Sequence, residues 1–251
     1  MKKLIISVIT IFMVVFLSSC YQMVFKSLGV LSDSAHVLEA RNTQKQIVYI
    51  PMHHIGKRTF YNDVKTKIDS LRKLGFVFYY EGVVFSKEND SLKNDTIAMK
   101  LRKITGVDFR AMHLQGGYID TLTNKVMGVK IKSIDKYDLV NQPKGPFYFD
   151  TLSDRKVDVY LSDALPALEE KFGRIILNEC DFKTGSNEKY TCKKYKKKGG
   201  KKFLTLDYRN DFIANQIIND NHTKIAMIYG AKHFEGILKQ LKIRDSTWKA
   251  Y

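Results

Sequence analysis

Cysteine, proline and acidic residues are all scarce in this chain. Three cysteines are too few for a disulfide scaffold, and no C-x-x-C pair is present to frame a zinc site. Four prolines and 15 glycines in 251 residues exclude collagen-like and proline-rich architectures. The longest largely apolar stretch, 14 residues broken only by Ser7 and Thr10, falls short of the roughly 20 that span a bilayer as a helix. No internal repeat is visible. What is abundant is apolar and basic. Hydrophobic residues at 44% and aromatics at 12% supply a core and exclude a disordered tail. The 42 basic residues against 26 acidic ones leave a formal charge of +16. The length suits one domain of ordinary size.

The N-terminus reads as an address. Lys2 and Lys3 precede the apolar run LIISVITIFMVVFL, which has the length of a signal-peptide core. It ends in Leu17-Ser18-Ser19-Cys20, which resembles the bacterial lipobox. The expectation is a signal peptide over 1–19, an acylated Cys20, a tether over 20–45 and one domain over 46–251. Several acyl chains on Cys20 would anchor the protein stably in a membrane. An ordinary secretory signal with an incidental cysteine is the alternative. Tyr21, where inner-membrane lipoproteins often carry Asp, points to the outer membrane of a Gram-negative cell envelope, facing periplasm or surface.

Part of the positive charge is local, because residues 193–202 (KKYKKKGGKK) hold seven lysines. Such a run repels itself and predicts an exposed loop. With one tyrosine, no arginine and no recognisable motif, it does not argue for nucleic acid. Contact with anionic lipid is the better functional reading. Cys180 and Cys192 bracket eleven residues just before it. In an exported protein a disulfide between them is expected over two free thiols.

The order of elements predicts an α/β fold, a mostly parallel or mixed central sheet flanked by helices, with an irregular region inserted in the middle. Residues 46–50 form a strand, and Tyr61, Val64, Ile68, Leu71 and Leu74 repeat at helical spacing over 59–74. Gly75 stops that helix, and the apolar strand 76–80 follows. Strand, helix and strand with a continuously apolar second strand is a parallel βαβ unit buried on both faces. Helices are predicted over 95–104 and 161–172, with 174–177 a short apolar segment of undecided type. The end repeats the motif with a helix over 207–219, a strand over 224–229 and a last helix through Phe234, Ile237, Leu238 and Leu241.

His54, Glu81 and His233 each fall just beyond the C-terminal end of a predicted strand, where open parallel sheets bind ligands. Two imidazoles and a carboxylate suit a divalent transition metal such as Mn, Co, Zn or Fe. Without metal, the same groups serve as acid and base. A histidine after a strand is more often a loop or core residue, so the weight lies in three such positions coinciding. Strand alternation lets at most one of His53 and His54 face the crevice. Arg209 and Asn210 open a helix, where they are either a surface pair or a substrate-carboxylate or oxyanion site. His36, His113 and His222 carry no pattern.

These residues together resemble the TraB/PrgY/GumN family, which is similar to the Tiki metalloproteases and more distantly to erythromycin-esterase-like and ChaN-like proteins. Gly230-Ala231-Lys232-His233, followed by Phe234-Glu235-Gly236, is similar to the family's C-terminal GxxH. Tyr80-Glu81-Gly82 matches its glutamate and Arg209-Asn210 its late pair. The first GxxH departs, since Pro51-Met52-His53-His54-Ile55-Gly56 aligns His54 but places Pro51 at the leading glycine. Val157-Asp158-Val159 is a weaker match to an acidic segment. The resemblance spans about residues 46–243 and is strongest at the two ends. It implies a cleft lined by His54, Glu81 and His233, and metal-dependent hydrolysis of a peptide or a small amide or ester. The alternative it implies is a non-enzymatic envelope binder of a peptide, iron or haem ligand.

Overall fold

Three strands whose side chains are apolar on both faces decide the architecture. They are β2 (Gln46–Met52), β4 (Val77–Tyr80) and β9 (Lys224–Gly230), and such strands must be covered on both sides. The structure, a computed structural model, describes residues 25–26, 29–88, 90–108, 118–119, 126–127, 137–143, 150, 153–186 and 188–251. A six-stranded mixed sheet runs in the order β10 (Lys249–Ala250), β1 (Leu38–Arg41), β2, β9, β4, β8 (Arg155–Lys156). β2, β9, β4 and β8 are parallel, while β1 and β10 are antiparallel additions at one edge. Two small antiparallel pairs stand apart: β3 (Ile55–Lys57) with β7 (Leu139–Asn141), and β5 (Tyr118–Ile119) with β6 (Val126–Met127). The chain is α/β.

Alternation along each strand divides the core in two. Val48, Ile50, Met52, Phe78, Ala226 and Ile228 pack under α1 (Arg58–Lys73) through Phe60, Tyr61, Val64 and Ile68. Ile47, Tyr49, Tyr79, Met227 and Tyr229 face α5 (Tyr208–Asn219) and α6 (Phe234–Arg244), where Ile213, Ile217, Ile237 and Leu241 meet them. Each such fully buried side chain stabilises by about 1.5–3 kcal/mol. A third cluster joins α2 (Ser91–Thr105) to α3 (Leu161–Phe172) and Leu204. Gly75, with φ +79°, releases the chain from α1 into β4, a backbone conformation that favours glycine.

Several stretches differ from the sequence expectation. Leu38–Arg41, read as tether, pairs with β2, so the sheet begins eight residues before Gln46. Its sequence LEAR carries too few apolar residues to read as a strand; burial of Ala40 against the edge and pairing with β2 form it. Residues 174–177 are irregular, with Ile176 exposed. The lysine run is exposed from Lys193 to Lys198, but Gly200–Lys202 already belongs to a helical stretch. A disulfide joins Cys180, within the short α4 (Glu179–Lys183), to Cys192, the two Cα atoms 5.9 Å apart. The signal segment 1–19, Cys20, His113 and most of the middle region lie outside the described residues.

Candidate functional site

The parallel register brings three chain reversals to one edge of the sheet. Met52 pairs with Gly230 and Ile228 with Tyr80, so β2, β9 and β4 end side by side. The chain leaves them at His53-His54, at Ala231-Lys232-His233 and at Glu81. Ala231 N–H donates to Met52 O at 3.2 Å, and Glu81 N–H to Ile228 O at 3.1 Å, fixing the reversals to their neighbours. A pocket of about 770 Å³ opens there, and His53, His54, Glu81, Arg209 and His233 all border it.

Glu81 is held at both carboxylate oxygens. Arg209 Nη2 donates to Oε1 at 2.5 Å, and Gly230 N–H donates to Oε2 at 2.7 Å. The guanidinium is fixed in turn by Asp158, with Nε to Oδ1 at 3.0 Å and Nη2 to Oδ2 at 2.7 Å. Asp158 also accepts from the N–H groups of Val159 and Gly82. The three side chains form a carboxylate–guanidinium–carboxylate triad of formal charge −1, buried at Asp158 and Arg209 and partly open to the pocket at Glu81. His233 lies beside it, Nε2 3.8 Å from Glu81 Oε1, which is close but not a hydrogen bond. Its Nδ1 is 2.6 Å from Asn210 Oδ1. An amide oxygen only accepts, so Nδ1 carries the proton and Nε2 keeps a lone pair.

The protonation states follow from this packing. Burial alone would raise the Glu81 pKa, but the charge and hydrogen bond of Arg209, with the Gly230 N–H, outweigh it and hold the carboxyl below its ordinary value. Burial, then the Arg209 charge, lowers the His233 pKa, despite the opposing pull of Glu81 and Asp158. Near neutral pH the pocket therefore presents an ionised carboxylate next to a neutral imidazole.

His53 and His54 both border the pocket, against the expectation that only one faces it. The reason is local: β2 stops at Met52, so strand alternation no longer governs the pair. His53 is half-buried against Phe60, and its carbonyl accepts from the Tyr61 hydroxyl at 2.7 Å. His54 is exposed on the turn, its carbonyl accepting from Gln142 N–H at 2.9 Å. Pro51 lies beyond the last residue of β2 that β1 pairs, Tyr49, where a missing N–H is tolerated. Arg209 and Asn210 are buried and turned inward, onto Glu81, Asp158 and His233. Their burial excludes the surface-pair reading, and Arg209 still borders the pocket.

The sequence leaves the roles of three contributors unassigned. Asp158 was quoted only as a weak match, since its partner is 51 residues away. Gly236 makes room for Asn210: a Cβ there would stand 1.9 Å from Asn210 Nδ2. A π-helical turn, Phe203–Asp207, runs from Gly200–Lys202 directly into α5, with Tyr208 N–H donating to Phe203 O. Bonding five residues back stacks Leu204 and Arg209 on one face, whereas α-helical spacing would set them about 140° apart. Local composition carries no signal for that extra residue.

The donor chemistry of His54, Glu81 and His233 suits a divalent transition metal, and a triad of net charge −1 favours a cation. Two of the donors are 3.8 Å apart, compatible with metal bonds of about 2.0–2.2 Å from each. His54 is not gathered with them, and among the described residues no group of three His, Cys, Asp or Glu side chains stands close enough to hold a metal. Comparison with known proteins finds no family model, no characterised protein and no solved structure that matches the chain. The TraB/PrgY/GumN resemblance therefore rests on the motifs alone.

Proposed function

We propose that this pocket is the active site of a hydrolase that cleaves an amide or ester bond in a peptide or related small molecule, carried on the cell envelope by an acylated Cys20. The observation that carries the reading is the clamped, ionised Glu81 with a neutral imidazole 3.8 Å from it, at the open end of a parallel sheet. Glu81 acts as general base towards water, and His233 accepts or passes a proton at Nε2. Arg209 and Asn210 keep both groups aimed. His54, Glu81 and His233 are the residues that would hold a divalent transition metal, and His54, exposed on its turn, would have to swing in to join the other two. When bound, such a metal supplies a more acidic water and a polarised carbonyl. The lipobox-like Leu17–Cys20 supports the anchor, and the exposed Lys193–Lys198 stretch supports contact with anionic lipid.

Detergent-solubilised full-length protein, assayed for metal content and against a peptide library, tests this. Glu81→Gln and His233→Ala are each expected to lower turnover at least about 100-fold with the fold intact by circular dichroism. Full activity in metal-free protein would remove the metal from the reading and leave the acid–base pair. The second reading, a binder of peptide, iron or haem, is favoured by one feature, that Glu81 is already paired with a cation. Ligand binding lost in His54→Ala, with no peptide cleaved by the wild-type protein, would establish it over the hydrolase.

A further inference from the structure

A second cavity of about 400 Å³ opens beside the first and shares His54, Glu81, Thr205 and Arg209 with it. Beyond that shared rim its walls are apolar, formed by Val83, Phe85, Leu101, Leu161 and Leu204. Among the described residues, the ionisable side chains lining it are Glu81, Arg209 and His54, all at the rim. The nearby cations of α2 are directed elsewhere. Arg102 donates to the carbonyls of Asp181, Thr184 and Gly185, and Lys103 pairs with Asp181. The Thr205 hydroxyl donates to Lys201 O at 2.9 Å, so that proton is already committed. The π-helical turn places Leu204 in the wall and Arg209 at the rim of the same cavity.

We propose that this cavity is a specificity subsite that receives a bulky apolar side chain, of the Phe, Leu or Met class, next to the bond presented to Glu81 and His233. The inference rests on the hydrolytic reading of the site and names the substrate class that reading leaves open. A volume of about 400 Å³ lies within the range of about 300–1,000 Å³ typical of small-molecule pockets, and it accommodates an aromatic ring. Acidic or basic side chains would enter without a partner beyond the rim, where burying them is costly.

The test is an internally quenched alanine-based hexapeptide in which Phe, Leu, Asp or Lys replaces one alanine at a time, measured for both cleavage and binding. At one position Phe and Leu are expected to raise kcat/KM about tenfold or more over Ala, with Asp and Lys below Ala. Val83 lines the cavity and is 40% exposed, so Val83→Trp adds bulk there from the solvent side and should bring the Phe-to-Ala ratio close to one. Cleavage with no preference among side chains, or a ratio untouched by Val83→Trp, overturns the subsite and leaves the hydrolase standing. Selective binding of the Phe peptide that Val83→Trp abolishes, without any cleavage, keeps the subsite and overturns the hydrolase.

Discussion

Asn210 reaches His233 because residue 236, in the first turn of α6, has no side chain to block it. The contact sets which imidazole nitrogen is protonated, so removing either partner of this packing should cost the same thing. Asn210→Ala and Gly236→Ala are both expected to lower turnover by about 10- to 100-fold while remaining folded, as is typical of groups that orient a working histidine. Steady-state kinetics alongside circular dichroism distinguishes this from unfolding. The same packing sets the pH dependence. With its pKa below the usual 6.5, His233 is neutral at pH 7 and protonates only in more acid solution. Activity should therefore hold from neutral pH downward and fall on an acid limb whose midpoint lies below 6.5. Glu81, held below its ordinary 4.5 by Arg209 and the Gly230 N–H, is ionised at the neutral end of that limb. His54, Glu81 and His233 were visible in the sequence because each follows an apolar strand. Their supports were not, because an ion pair such as Asp158–Arg209 joins residues 51 apart and leaves no local pattern.

Elements with strong periodicity were legible in the sequence. The apolar spacing of α1 and the continuous runs of β2, β4 and β9 are direct consequences of burial on one stripe or on both faces. α2 was harder, because Arg102 and Lys103 are buried at its C-terminal end and blur its apolar face. Their partners lie on α4 and the loop behind it: Asp181 accepts from Lys103 and from the Tyr190 hydroxyl, and it closes a capping box with Asn178. The Cys180–Cys192 bridge ties this segment together. Replacing both cysteines by serine should lower stability by about 3 kcal/mol in the chain-entropy model. By calorimetry that is a melting temperature lower by about 10 °C. Because the segment is remote from β2, β9 and β4, turnover at 25 °C should change little.

Across the whole molecule, the sheet's far corner is secured by Asp220, which links elements distant in sequence. It accepts from the Tyr79 hydroxyl, from Arg155 Nη1 at 2.7 Å and from His222 N–H at 2.7 Å. Burial would raise its pKa, but these hydrogen bonds and the charge of Arg155 prevail and bring it to about 2. A carboxyl depressed from 3.8 contributes its full stabilisation above 3.8 and loses it as the pH falls towards 2. Trp248, the single tryptophan and almost fully buried, reports unfolding by its emission. Urea midpoints followed through Trp248 should drop between pH 3.8 and about 2, and Asp220→Asn should flatten that drop while being less stable at pH 7. The α/β class was legible as a whole from the alternation of strands and helices, whereas β1 was not, because an edge strand is made by its neighbour more than by its own residues. The central trio β2, β9 and β4 has a further consequence. Their backbones at Tyr49, Met227 and Tyr79 are shielded on both faces and paired with a strand on either side, so deuterium should replace their amide protons only through global opening. The floor beneath Glu81 and His233 should thus exchange among the slowest of the described residues, and any breathing that admits a visitor is expected at the rim, at the His54 turn and the helical turn around Thr205.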